Sequence, residues 1–154
     1  MKFDEEYNDN TYIERKDRRK IVVLKDPKGG NSKYTGKNIH DMEIAVYRID
    51  GGIITAQREK KCDYGLYTAD DDTLRFIELK GSDFEQAIKQ ITNTLNELIH
   101  KQGIDINRVC GRIVLSRKRV PQIKSNNEKK LVKLLHEKHG DLITKTQSLT
   151  ENIE

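Results

Sequence analysis

The sequence predicts an α/β domain of the α+β kind, a mixed central β-sheet flanked by helices. Three observations carry that prediction. Apolar residues gather in short runs through the first half, RKIVVLKD, EIAVYRID and CDYGLYTADDDTLRFIELK, bounded by Gly, Pro, Asn or Asp. Between residues 82 and 103 they recur instead at three- and four-residue spacing, the helical period. A further strand-like run and a second amphipathic stretch follow, so antiparallel strands give way to helix, strand, helix.

Each element has its own signal. Residues 1–18 are polar and read as a flexible N-terminal segment, with at best a short helix around Tyr12 to Arg18; residues 19–150 read as a single domain. RKIVVLKD (19–26) predicts a strand stopped by Pro27, and PKGGNSKYTGKN a loop. In EIAVYRIDGGIITAQ, Asp50-Gly51 between alternating apolar residues predicts a two-residue hairpin turn, with a short helix over Ile39 to Ile49 as the alternative. Ser82 and Glu85 fit a capping box ahead of a helix whose stripe is Phe84, Ala87, Ile88, Ile91, Leu95, Leu98 and Ile99, ended by Gly103. RVCGRIVLSRKR (108–119) predicts a strand running into a basic segment that stops at Pro121. NEKKLVKLLHEKHG predicts a helix with Leu131, Leu134 and Leu135 inward, and DLITKTQSL an edge strand.

Composition narrows the function classes. A chain of 154 residues suffices for one layered core. No run approaches the roughly 18 apolar residues of a membrane span, and the acidic start MKFDEEYNDNTY lacks the regions of a signal peptide. Cys62 and Cys110 sit in apolar runs without a C-x-x-C pairing and read as buried free thiols, so a cytoplasmic location and no membrane partner are expected. Charge is unevenly spread: residues 101–140 hold 11 basic and 3 acidic side chains, against 17 and 19 in residues 1–100. A basic half beside a carboxylate-bearing half suits a polyanionic partner, with Arg117, Lys118, Arg119 and Lys124 as candidate phosphate contacts. Asp70, Asp71 and Asp72 read as a solvated hairpin loop. His136 and His139 end a helix, where positive charge suits the dipole. Gly29-Gly30 lacks the Lys-Ser/Thr of a phosphate-cradling loop.

One stretch demands more. With Ala69 to Asp72 as a four-residue loop, Thr68 faces Thr73, Gly65 faces Phe76, and Asp63 faces Glu78. Directly opposed residues project to one face with Cβ atoms roughly 5 Å apart, and Lys80 shares that face. Like charges so close are destabilising unless one is protonated, the register differs, or a cation lies between them. Two carboxylates plus waters suit Mg2+ or Mn2+. The Lys80 ammonium can offset developing negative charge or hold an attacking water, while Ile77 and Leu79 are expected to point the other way, toward a helix.

Lys61-Cys62-Asp63-Tyr64, then Phe76-Ile77-Glu78-Leu79-Lys80-Gly81, then a capped helix carrying Ala87 and Gln90, resemble the PD-(D/E)xK nuclease superfamily over residues 45–120. The resemblance implies a restriction-endonuclease-like core and divalent-metal-dependent hydrolysis of nucleic-acid phosphodiesters, DNA ahead of RNA, endonucleolytic in the first instance. It also implies roles: Asp63, Glu78 and the Leu79 carbonyl as metal ligands, Lys80 as the residue that positions water, and Gln90 as the family's helix glutamine. Lys61-Cys62 stands where the name-giving proline would be, Thr94 stands where the RecB-like branch has tyrosine, and Glu14 and Glu43 are the candidates for an upstream acid. A non-catalytic nucleic-acid-binding or protein-interaction module, and a toxin-like RNase, are the alternatives; a homodimer is left open.

Overall fold

A computed structural model describes residues 1–56, 60–117 and 124–154. The chain begins with α1 (Phe3–Glu6), β1 (Ile13–Asp17), β2 (Ile21–Lys25), β3 (Lys33–Lys37) and β4 (Ile44–Arg48). It continues with β5 (Tyr64–Thr68), β6 (Thr73–Lys80), α2 (Phe84–Leu95, extended by a π-turn over Asn96–His100) and β7 (Arg108–Leu115). It closes with α3 (Asn126–Glu137), β8 (Leu142–Thr146) and β9 (Ser148–Asn152).

Six strands form one mixed sheet in the order β1-β4-β5-β6-β7-β8, antiparallel from β1 to β6 and parallel from β6 to β8. The parallel step falls where α2 and α3 intervene, because a parallel neighbour needs a crossover. The expected α+β class, a mixed sheet with helices packed on it, is what the chain adopts. The helices lie on one face, where Phe3, Tyr47, Tyr67, Phe76, Ile88, Ile91, Leu131 and Leu135 form the first core. A second, three-stranded sheet, β2-β3-β9, covers the other face, and Val22, Leu24, Tyr34, Val46, Leu66, Ile77, Leu79 and Leu149 fill the space between the sheets.

That second sheet overturns several local expectations. Residues 33–37, expected in a loop, form β3, because both its edges find partners: β2 antiparallel and β9 parallel. Ile77 and Leu79 pack between the sheets rather than toward a helix, and Phe76, of the opposite parity, faces α2. Asp50-Gly51 does turn, with Gly51 at φ 76°, yet residues 52–56 form no return strand; the next strand to pair with β4 is β5, and the other edge of β4 is taken by β1. The first 18 residues are therefore not a flexible segment. Phe3 is fully buried against the rings of Tyr7, Tyr47 and Tyr67, with centroids 4.7 to 5.4 Å away, and Ile13–Asp17 is an edge strand rather than a helix. The charged side chains of β1 suit an edge, since they oppose further pairing. Asp83, not Ser82, caps α2, its carboxylate accepting the Gln86 N–H at 3.0 Å. Both cysteines are free and buried.

Candidate functional site

The β5–β6 hairpin has the expected register, with Thr68 opposite Thr73, Tyr67 opposite Leu74, Gly65 opposite Phe76 and Tyr64 opposite Ile77. One step further, where the ladder ends, stand Asp63 and Glu78. There the side chains replace main-chain partners. The Asp63 N–H donates to Glu78 Oε1 at 3.1 Å, and the Leu79 N–H donates to Asp63 Oδ2 at 2.8 Å. Each carboxyl thus satisfies a backbone donor of the other strand. This reciprocal clasp is what makes an opposed acidic pair tolerable at 5 % and 2 % exposure.

Both acids are pushed up in pKa. Burial raises Asp63 to about 6; the Leu79 N–H pulls it down, Asp26 and Asp50 push it up, and Lys28 opposes them. Burial, then the charge of Asp63, lifts Glu78 well above the carboxylate range, against the pull of Lys80. Without a cation, the pair therefore holds a proton near neutrality. Burial, with the Glu78 charge adding to it, likewise pushes the adjacent Cys62 thiol up and keeps it inert.

The donor set fits a hard divalent ion that keeps several waters. It offers the second oxygen of each carboxyl and the Leu79 carbonyl, which leaves the strand on the same side as the Leu79 N–H that meets Asp63. Among the described residues no cluster of three or more His, Cys, Asp or Glu side chains is placed to hold a metal ion, so a site here rests on two acids.

Lys80 shares the face of Glu78 and is half-buried; its carbonyl accepts Ser32 Oγ at 3.0 Å and the Ser116 N–H at 2.9 Å. Gln90, on α2, is 8 % exposed. Its Nε2 donates to the Lys61 carbonyl at 3.2 Å, and its buried Oε1 has no hydrogen-bond partner among the described residues. Thr94 completes the tie, its Oγ1 accepting the Cys62 N–H at 2.9 Å. Together these two bonds from α2 hold the segment that delivers Asp63.

The basic candidates divide. Arg117 is exposed and follows directly on the Lys80–Leu115 pairing, its N–H reaching the Gly81 carbonyl at 3.4 Å. Lys118 and Arg119 lie outside the described residues. Lys124 is exposed just ahead of α3. Asp26 and Asp50, rather than the upstream candidates Glu14 and Glu43, are the acids whose charge acts most on Asp63. Asp50 also forms a salt bridge at 3.8 Å with Lys61, whose buried ammonium donates to the Ala56 carbonyl. Lys61 lies ahead of β5, outside any strand, so parity does not mark it. Asp26, Lys28 and Ser32 carried no local signal, because the second sheet brings them to the site. Comparison with family models, curated proteins and solved structures returns no match.

Proposed function

We propose that this chain is a divalent-metal-dependent nuclease that hydrolyses nucleic-acid phosphodiesters, DNA ahead of RNA, as its resemblance to the PD-(D/E)xK superfamily implies. The observation that carries the proposal is the Asp63–Glu78 pair at the end of the antiparallel ladder, with Lys80 on the same face. Asp63, Glu78 and the Leu79 carbonyl would hold Mg2+ or Mn2+, which when bound supplies a Lewis acid for the phosphoryl oxygen and lowers the pKa of a coordinated water. The protein's own contribution is positional. The clasp holds both carboxyls rigid, α2 fixes the approach to Asp63 through Gln90 and Thr94, and the Lys80 ammonium offsets charge gathering on the phosphoryl oxygens as the water oxygen attacks and the ester oxygen leaves.

The clasp also gives both acids a purely structural use, which favours a non-catalytic module of the same fold as the second reading. Incubation of purified protein with labelled DNA and RNA substrates, with and without Mg2+ or Mn2+, separates the two. A nuclease cuts only with metal, and Lys80→Ala and Glu78→Gln each lose at least about 100-fold in rate. Lys80→Ala keeps near-native affinity, since only one of several phosphate contacts is lost. Metal also raises the melting temperature of the wild type, and less so that of Asp63→Asn. Binding without cleavage under every metal supports the module instead.

A further inference from the structure

The β2–β3 hairpin is bound at both stems to the two strands that carry the acidic pair. On one side Tyr64, the residue after Asp63, donates its hydroxyl to the Lys25 carbonyl at 3.2 Å. On the other, Ser32, 1 % exposed, donates to the Lys80 carbonyl at 3.0 Å. The loop between them, residues 26–31, therefore stands over the rim where β5 begins and β6 ends. Its shape is held from within: Asp26 Oδ1 accepts the Lys28 N–H at 2.9 Å, and the Asp26 carbonyl accepts the Gly29 N–H at 3.1 Å. Gly29 has φ 85°, a conformation that suits glycine. Lys28, exposed on this loop, is close enough to Asp63 for its charge to act on that carboxyl.

Beside the hairpin, between it and β1, runs an open cleft of about 540 Å3. Arg15, Arg19, Lys25, Asp26 and Tyr64 are among its walls, so it adjoins the loop and the residue next to Asp63. Arg19 is engaged by Asp17 at 2.5 Å. The side chains of Arg15, Lys25 and Lys28 form no hydrogen bond or salt bridge among the described residues, while Glu14 and Asp26 are the acids of the lining. Unengaged cations along a groove that adjoins Tyr64, the residue after Asp63, suit a polyanionic strand. The volume of about 540 Å3 gives room for a nucleotide or two, within the range of about 300–1,000 Å3 typical of small-ligand sites.

Resting on the nuclease proposal, we infer that this cleft is the track for a single nucleic-acid strand, with Arg15, Lys25 and Lys28 holding backbone phosphates of the strand as it leads to the Asp63–Glu78 rim. The strand enters along the three-stranded-sheet side of the molecule, and the hairpin loop forms the wall above the bond to be cut. Single strands and frayed ends are bound in preference to closed duplex.

The test is the salt dependence of binding, read by fluorescence anisotropy of labelled single-stranded DNA and RNA, and of a blunt hairpin duplex, in chelator. The triple variant Arg15→Ala/Lys25→Ala/Lys28→Ala should flatten the log–log salt slope for single strands by about 0.7 per contact, about 2 in all. The charge-keeping triple Arg15→Lys/Lys25→Arg/Lys28→Arg should retain the slope, and both should melt like the wild type. Neutralising Lys129, Lys130 and Lys133 on α3, which packs on the opposite face of the main sheet, should leave the slope unchanged. A wild-type protein that binds and cuts nucleic acid while the cleft triple keeps its slope, or while the α3 triple loses as much, overturns the track alone. A wild type with no salt-dependent binding to either strand overturns the nuclease proposal along with it.

Discussion

At Asp63 and Glu78 the energetics of folding oppose those of the ion binding proposed there. Asp63 has a folded pKa of about 6, above its ordinary value, so the folded chain holds that proton more tightly than the unfolded chain does. The stability this confers is fully present below about pH 4 and is lost as pH rises through about 6. In chelator, wild-type stability relative to Asp63→Asn should therefore fall between pH 4 and 7, on the order of 2 kcal/mol, in urea titrations run at a series of pH values. Asparagine keeps the acceptor for the Leu79 N–H, so the clasp survives the change. Parallel pH profiles for the two proteins would show that the pair carries no shared proton. If the pair holds a cation as proposed, magnesium should remove the difference in slope, because it would replace the proton between the oxygens.

Helix α2 carries the clearest test of how an element serves the site. Its cap is Asp83, so Asp83→Ala should cost about 1 kcal/mol, while Ser82→Ala should stay within about 0.5 kcal/mol of the wild type. Thr94 is fully buried, accepts the Cys62 N–H and donates to the Gln90 carbonyl. Thr94→Val keeps the shape and removes the acceptor, leaving a buried N–H unpaired at a cost of about 1–3 kcal/mol. The same change loosens the segment that delivers Asp63, so on the nuclease proposal cleavage should fall further than stability alone explains. Chemical unfolding of the three variants beside a cleavage assay checks both statements.

For the whole molecule, the contact between its two sheets is decisive, and a buried arginine helps to hold it. Arg112, on β7, is 2 % exposed; its Nε donates to both oxygens of Glu151 on β9, and its Nη1 to Asp141 Oδ1 at 2.8 Å. Tyr34 adds a hydroxyl bond to the same Glu151 at 2.8 Å. Arg112→Met strands the mostly buried Glu151 charge and should cost about 3–5 kcal/mol. Arg112→Met/Glu151→Leu should recover much of that, because the uncompensated charge is gone. Equal losses in the single and double variants, measured by urea unfolding, would show that the pair matters for shape rather than charge. The β2–β3 hairpin reaches the acidic rim only because this second sheet is seated, so on the nuclease proposal Arg112→Met should also lower cleavage.

The sequence by itself determined the mixed sheet with its helices, the register that opposes Asp63 to Glu78, and the place of Lys80 on their face. Those features depend on short-range quantities: a four-residue loop, two-residue strand parity, and the three- and four-residue spacing of the α2 stripe. Tertiary structure alone decided the rest. Residues 33–37 become a strand because β2 takes one edge and β9, from the far end of the chain, takes the other, and Ile13–Asp17 becomes one because β4 offers a free edge. No local pattern records a partner so distant, since its hydrogen bonds exist only once the cores have closed. For the same reason Lys28 and Ser32 read as part of a Gly-, Asn- and Ser-rich loop, and Asp26 as the end of a strand. The packing of Val22, Leu24 and Tyr34 onto Ile77 and Leu79 is what carries that loop to the carboxylates.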